Sequence, residues 1–251
     1  MNPLDLSGKT VLVTGASNGI GRSTAVYLSR LGARIVAVGR DQARLEETLK
    51  SLDPGSHCSY VRDLTQVESL SAWMKDLAVE NGPLYGLVHS AGVTLNQPLR
   101  TLSYSDYSSV LRINLDAAVM LSKAFRQKGV RDESGSSLVY LSSVVAFKPK
   151  PALAAYSASK GALISLARTL AHELAPEKIR VNCVCPGLIQ TSMVADLRDT
   201  IGEEQLQRLV RDYPLGLGAA EDVAYAIAFL LAPTARWITG TVLVIDGGYS
   251  A

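Results

Sequence analysis

Charge of one sign is scarce in this sequence: 25 basic residues against 23 acidic ones leave a formal net charge of +2, with no long run of either sign. That balance gives no support for nucleic-acid or membrane-surface binding. Cysteine is scarce as well, three residues in 251 without framework spacing, which sets aside a secreted disulfide scaffold. Cys183 and Cys185 are two apart in a predicted strand and share a face. His57, His89 and His172 are scattered, however, so no metal set is completed and the pair reads as buried thiols. The longest apolar stretch, Ala226 to Ala232, is far below a membrane span, and Met1 to Asp5 lacks the basic and hydrophobic regions of a signal peptide. A cytoplasmic protein is expected. There is no internal repeat, low-complexity segment or dividing linker, and 251 residues at 47% hydrophobic suit one sizeable core, so a single domain over residues 1–251 is predicted.

What the chain does carry is alternation. Lys9 to Thr14, Arg34 to Gly39, His57 to Val61, Leu84 to Ser90, Ser137 to Ser142, Lys178 to Val184 and Thr241 to Ile245 read as seven strands, separated by stretches of helical period. One of these, Gln66 to Leu77, sets Val67, Leu70, Met74 and Leu77 on one stripe, a helix with one buried face. Strand then helix, repeated, predicts an α/β fold with a parallel sheet covered on both sides. Two helices, Tyr107 to Phe125 and Ala154 to Ala175, are apolar on more than one side. The surplus, Leu115 and Val119 in the first and Leu166 and Leu170 in the second among others, predicts packing against another subunit, with burial under the chain's own loops as the alternative.

The chemistry gathers between Leu138 and Gly161. Tyr156 and Lys160 are four residues apart, so on a helix their polar ends converge on one face. A phenol is a poor acid-base catalyst at neutral pH, and a lysine cation held beside it is expected to lower its pKa. Ser143, at the end of the preceding strand, can set its hydroxyl next to the phenol so that both donate to one substrate oxygen. Alone, Tyr-x-x-x-Lys is as readily a half-buried ring beside a snorkelling lysine. A second signal is Thr14-Gly15-Ala16-Ser17-Asn18-Gly19-Ile20-Gly21, directly after a strand and before a helix. Its glycines let the backbone turn tightly and approach a ligand, and the free N–H groups of the helix attract a pyrophosphate.

Taken together these motifs resemble the short-chain dehydrogenase/reductase superfamily nearly end to end. Thr14 to Gly21 matches the family's T-G-x-x-x-G-x-G, Asp63-Leu64 its adenine-binding position, Asn114 with Ser143, Tyr156 and Lys160 its catalytic tetrad, and Pro186-Gly187 with Thr191 its nicotinamide carboxamide segment. Where the family usually has Asn-Asn-Ala-Gly, this chain has His89-Ser90-Ala91-Gly92. Ser90, Ala91 and Gly92 keep the close approach to the cofactor, and His89 reads as a packed or adenosine-side residue. The resemblance implies a single-domain, doubly wound Rossmann fold and interconversion of a ketone and a secondary alcohol. In it Tyr156 donates the proton, Ser143 stabilises the oxyanion, Lys160 lowers the tyrosine pKa and binds the ribose, and Asn114 holds a helix carbonyl, a relay water, or both. It also implies a homodimer or homotetramer. The competing readings are a 3-oxoacyl-[acyl-carrier-protein] reductase and a catalytically silent NADP-binding scaffold. Asp132-Glu133-Ser134 and Glu177, where those reductases carry basic residues for an acidic carrier, favour a free ketone, although Arg126, Lys128 and Lys178 stand nearby to compensate.

NADP(H) is expected over NAD(H). Gly39 ends the second strand, where an acid would bind the ribose hydroxyls, and Arg40 follows with a guanidinium suited to a 2′-phosphate, unless it is simply an exposed loop residue. Asp41 is expected to cap its own helix, and Arg22 to add positive potential or point into solvent. Leu188 to Gly216, with Leu188, Met193, Val194 and Leu197, reads as a lid over the substrate. Val145, Phe147 and Leu153 are expected to line the pocket, and Lys148 and Lys150 read as solvated loop lysines, with attraction of an anionic substrate as the alternative.

Overall fold

Val11 and Val13 pack on one side of the first strand and Leu12 on the other, and Ile35 and Ala37 alternate with Val36 and Val38 in the second. Strands that are apolar on both faces have to be covered twice. In the computed structural model, which describes residues 2–194, 199 and 202–251, they are. Strands β1 (Thr10–Thr14), β2 (Arg34–Gly39), β3 (Cys58–Val61), β4 (Gly86–His89), β5 (Ser136–Leu141), β6 (Ile179–Pro186) and β7 (Val242–Ile245) form a parallel sheet in the order β3-β2-β1-β4-β5-β6-β7. All seven expected strands are present, with ends shifted by at most two residues. The order reverses at β1, which pairs with β2 on one side and β4 on the other. In doubly wound folds the crevice beyond the strand ends at such a reversal receives the ligand.

The helices are α1 (Gly19–Arg30), α2 (Gln42–Lys50), α3 (Leu70–Asn81), α4 (Tyr104–Leu111), α5 (Ala117–Phe125), α6 (Ala154–Leu174), α7 (Glu203–Arg211) and α8 (Ala220–Leu231). Leu70, Met74 and Leu77 of α3, Leu121 and Phe125 of α5, and Leu163 and Ile164 of α6 cover one face. Leu28 of α1, Leu45 of α2, and Val223, Ile227 and Leu231 of α8 cover the other. Both Cys183 and Cys185 are fully buried on the α6 side. The expected single helix from Tyr107 to Phe125 is instead α4 and α5 joined by a π-helical turn, Arg112–Asp116. Such a wide turn presents its backbone and side chains differently from a straight helix and is frequent at functional sites. Leu115, Leu166 and Leu170 remain half-buried and Val119 exposed, so the chain's own loops leave part of this apolar surface uncovered.

Of the segment read as a lid, residues 195–198, 200 and 201, Leu197 included, lie outside the described residues. Its two stems meet: Gln190 N–H donates to the Gly218 carbonyl at 2.8 Å and Gly218 N–H to that of Leu188 at 3.1 Å. No helix among the described residues is long and apolar enough to cross a membrane.

Candidate active site

The turn after β1 is locked to the turn after β4. Gly15 has a φ of 68°, and a Cβ on it would lie 2.8 Å from the Ala91 nitrogen, so only glycine fits this approach. Thr14 Oγ1 accepts from the N–H groups of Ser90 at 3.2 Å and Ala91 at 3.1 Å. Helix α1 then starts without a side-chain cap or an acidic residue in its first turn, and the Asn18 side-chain amide donates to Ser192 Oγ at 2.6 Å. Ser17, Gly19, Ile20 and Gly21 thus surround uncapped amides at the positive end of a helix dipole, and Thr191 packs on Gly19, 3.2 Å from where its Cβ would be. That arrangement fits a pyrophosphate.

At the end of β2, Arg40 is exposed, and its charge reaches Asp63. The Asp63 carboxyl is held below its ordinary value by the N–H and hydroxyl of Thr65, and further by Arg40 and Arg62. Asp41 caps α2 as expected, accepting from Arg44 N–H at 3.0 Å. Arg22 does not point free into solvent: it reaches α2, 3.4 Å from Glu47 and 3.2 Å from Ser51 Oγ. Leu64 is buried behind Asp63.

Asn114, Ser143, Tyr156 and Lys160 converge where β4, β5 and α6 meet. Asn114 is fully buried in the π-helical turn; its Oδ1 accepts from Val93 N–H at 2.8 Å, and its Nδ2 donates to the Val93 carbonyl at 3.0 Å and to Ser159 Oγ at 2.9 Å. Ser143 caps the short turn Val144–Ala146 and stands close enough to the Tyr156 side chain to influence its phenol. Lys160, one helical turn beyond Tyr156, has its Nζ 5.6 Å from the tyrosine ring centre and donates to the Leu141 carbonyl at 2.7 Å. A Cβ on Gly92 would stand 3.0 Å from Asn114 Oδ1 and 3.3 Å from Lys160 Nζ, so its bareness keeps a path open to both groups. Beyond β6, Gly187 packs on Tyr213 and Asp246, next to Pro186.

The electrostatics differ from the sequence expectation. Burial holds the Tyr156 phenol above its ordinary value, with Ser143 pulling weakly the other way; the Lys160 cation, engaged by the Leu141 carbonyl, does not bring it down. Burial also lowers Lys160 itself to about 8, against the opposing influence of Cys183 and Cys185. Sequence reading passed over two supporting residues, Ser159 and the hydroxyl of Thr14. Ser159, which ties Asn114 to the Tyr156 carbonyl at 2.7 Å, was signalled only by its place three residues after Tyr156.

His89 is packed. It is 1% exposed, its Nδ1 is 3.2 Å from Thr14 Oγ1, and its ring lies against the backbone of Ile113 and Asn114, where Nε2 falls short of full hydrogen-bond geometry. Burial, with Lys160 adding repulsion, lowers it to about 3, so the ring is neutral.

A family model described as enoyl-(acyl carrier protein) reductase matches residues 15–250. A 3-oxoacyl-[acyl-carrier-protein] reductase of Rickettsia prowazekii is 35% identical over 246 residues, 98% of each chain. The chain belongs to the short-chain dehydrogenase/reductase superfamily. A tropinone reductase homolog of Arabidopsis thaliana is 36% identical over 250 residues, 98% of this chain and 91% of its own. A structure from Beutenbergia cavernae, assigned as an NAD(P)-dependent gluconate 5-dehydrogenase and holding NADP at low occupancy, matches with a TM-score of 0.91 and 32% identity over 99% of both chains. As a short-chain dehydrogenase/reductase the protein is an oxidoreductase acting on CH–OH or C=O groups, in a family that binds NAD(P).

His89 makes stability depend on pH. Its folded pKa lies below the unfolded value of 6.5, so the unfolded chain takes up the proton first; the contribution is complete above pH 6.5 and is lost as pH falls toward 3. Between pH 7 and 5 the wild type should lose about 2 kcal/mol of unfolding free energy more than His89→Asn. Urea titrations of both proteins at the two pH values check this; parallel losses would mean that His89 takes up its proton without unfolding.

Proposed function

We propose that the protein is an NADPH-dependent reductase of a free ketone, running in reverse as a secondary-alcohol dehydrogenase. The observation that carries this reading is the convergence of Asn114, Ser143, Tyr156 and Lys160 beside the uncapped start of α1. Gly15, Ser17, Asn18, Gly19, Ile20 and Gly21 hold the pyrophosphate, Asp63 and Leu64 the adenine, and Ser90, Ala91, Gly92, Pro186, Gly187 and Thr191 the nicotinamide end. A bound dinucleotide supplies the hydride. Tyr156 gives its proton to the carbonyl oxygen as negative charge gathers there, while the Ser143 hydroxyl donates to the same oxygen. A phenol raised by burial is fully protonated at neutral pH, the form that reduction needs. Tyr156 and Lys160 contact the nicotinamide ribose, and Asn114 fixes the helix turn beside them.

Arg40 supports NADP(H). A Cβ on Gly39 would lie 3.1 Å from Ser17 Oγ, so a side chain there would crowd the phosphate loop and make Ser17 give way, and Asp41 is committed to its cap. Arg40 is left as the group to meet a 2′-phosphate.

The relative in Rickettsia prowazekii favours a second reading, reduction of a carrier-linked 3-oxoacyl thioester. Against it, Glu177 engages both Arg126 at 2.5 Å and Arg131 at 3.1 Å, and Asp132 engages Lys9 at 3.4 Å, which leaves less free positive charge for an acidic carrier. A silent scaffold has no need of four convergent polar groups. The uncovered apolar surface at Val119, Leu166 and Leu170 supports a homodimer or homotetramer, and the near balance of 25 basic and 23 acidic residues supports small-molecule substrates rather than nucleic acid.

Tyr156→Phe should lower kcat by at least about a hundredfold, the scale of general-acid catalysis, with little change in NADPH affinity, whereas Lys160→Met should impair both. Steady-state kinetics with cofactor titration decide this, and a fully active Tyr156→Phe sinks the mechanism. Arg40→Asp should shift the NADPH:NADH ratio of kcat/KM by about tenfold or more toward NADH; an unmoved ratio removes Arg40 from the site. A free 3-oxoacyl ester should be reduced with higher kcat/KM than its carrier-linked form, and the reverse order selects the second reading. Sedimentation at micromolar concentration should show a dimer or larger; a stable monomer contradicts the assembly.

A further inference from the structure

The loop between Ser143 and Tyr156 contains Lys148-Pro149-Lys150-Pro151, and its lysines are more than a solvated pair, Lys148 being exposed as expected but Lys150 half-buried. Both are drawn to one ring: Nζ of Lys148 lies 4.1 Å and Nζ of Lys150 5.2 Å from the ring centre of Tyr249. Lys148 also donates to the Tyr249 carbonyl at 2.6 Å. The platform is fixed. Tyr249 is 5% exposed, stacks on Tyr213 at 4.4 Å with 12° between the planes, and packs with Val144 and Leu188. Those two residues directly follow Ser143 and Gly187, so the lysines stand on the rim of the candidate site. Proline on either side of Lys150 limits how far the loop can carry it away.

Gathering two cations in this way is unfavourable unless something answers their charge. Lys150 is half-buried; burial lowers its pKa, Asp212 pulls it back in part from a distance, and the nearby charge of Lys148 lowers it by less. Among the described residues no carboxylate comes within ion-pair distance of either lysine. Asp246, three residues before Tyr249, is taken up by the N–H of Gly248 at 3.0 Å and by the N–H and hydroxyl of Ser250 at 2.8 and 2.6 Å. The tyrosine face holds the ammonium groups by cation–π attraction, which leaves N–H donors free for a ligand. Beside them the rim is apolar: Phe147 is 48% and Leu215 85% exposed, and Leu215 is tied by its N–H to the Gly247 carbonyl at 3.1 Å.

We infer that Lys148 and Lys150, seated on Tyr249, form a subsite for an oxyanion carried by the substrate, so that the substrate is a ketone bearing a carboxylate or phosphate beyond a short apolar stem. The inference rests on the ketone-reductase reading and adds the substrate's charge to it.

The test compares kcat/KM for 4-oxopentanoate and 6-oxoheptanoate with that for their methyl esters, and for dihydroxyacetone phosphate with that for dihydroxyacetone. The wild type should favour the anionic member of at least one pair by about tenfold, as expected for charge-assisted bonds. That ratio should fall toward one in Lys150→Gln and in the Lys148→Gln/Lys150→Gln double variant, and survive in Lys150→Arg. Because each ratio is taken within one protein, a partly folded variant does not distort it. The pair that shows the preference tells carboxylate from phosphate. Turnover of the neutral ketones without any anion preference, or a preference unchanged in the double variant, overturns the subsite and leaves the reductase standing. No turnover of any ketone, neutral or anionic, overturns the reductase reading and the subsite with it.

Discussion

The carboxamide of Asn114 is the contact on which the geometry of the site depends. It has no exposure to water, and each of its polar atoms is matched: both main-chain groups of Val93 on one side and Ser159 on the other. Through Val93 it fixes the chain leaving β4, and through Ser159 it fixes the turn of α6 that carries Tyr156 and Lys160. The π-helical widening of its own helix is what lets one side chain reach both. Buried amides of this kind are costly when half-satisfied, so the network holds together as a unit.

Period and order made the architecture legible in the sequence. Val11, Leu12 and Val13 declare a strand buried on both faces before any partner is known, and the glycines at 15, 19 and 21 declare a tight turn at a helix start. The motif residues were legible for the same reason: Tyr156 and Lys160 are fixed relative to each other by helix geometry alone, and Ser143 by its place at a strand end.

Partner choice was not legible. Lys160 lies one helical turn from Tyr156, as the spacing demands, but its ammonium goes to the Leu141 carbonyl, an acceptor that no spacing rule reveals. Arg22 chooses Glu47 on a neighbouring helix, and Lys148 chooses Tyr249, a residue 101 positions away. Long cationic side chains sweep several ångströms, so which carbonyl, carboxylate or ring captures them is decided by tertiary packing. The break at Arg112 was hidden for a related reason. Its apolar pattern runs on unbroken, and the widened turn coincides with Asn114, whose partners Val93 and Ser159 lie far off in sequence.

The crossed hydrogen bonds between Leu188, Gln190 and Gly218 separate the length of one segment from the register of the sheet. Everything between those stems is a closed excursion whose ends are already held together, so lengthening it adds only a slowly growing entropy cost, about 0.6 kcal/mol for each doubling in a flexible loop. The sheet and the Asn114 network do not feel such a change. Descendants of this chain can therefore sample insertions between the stems while Asn114, Tyr156 and Lys160 stay in register, which makes this segment a natural place for length and sequence to diverge.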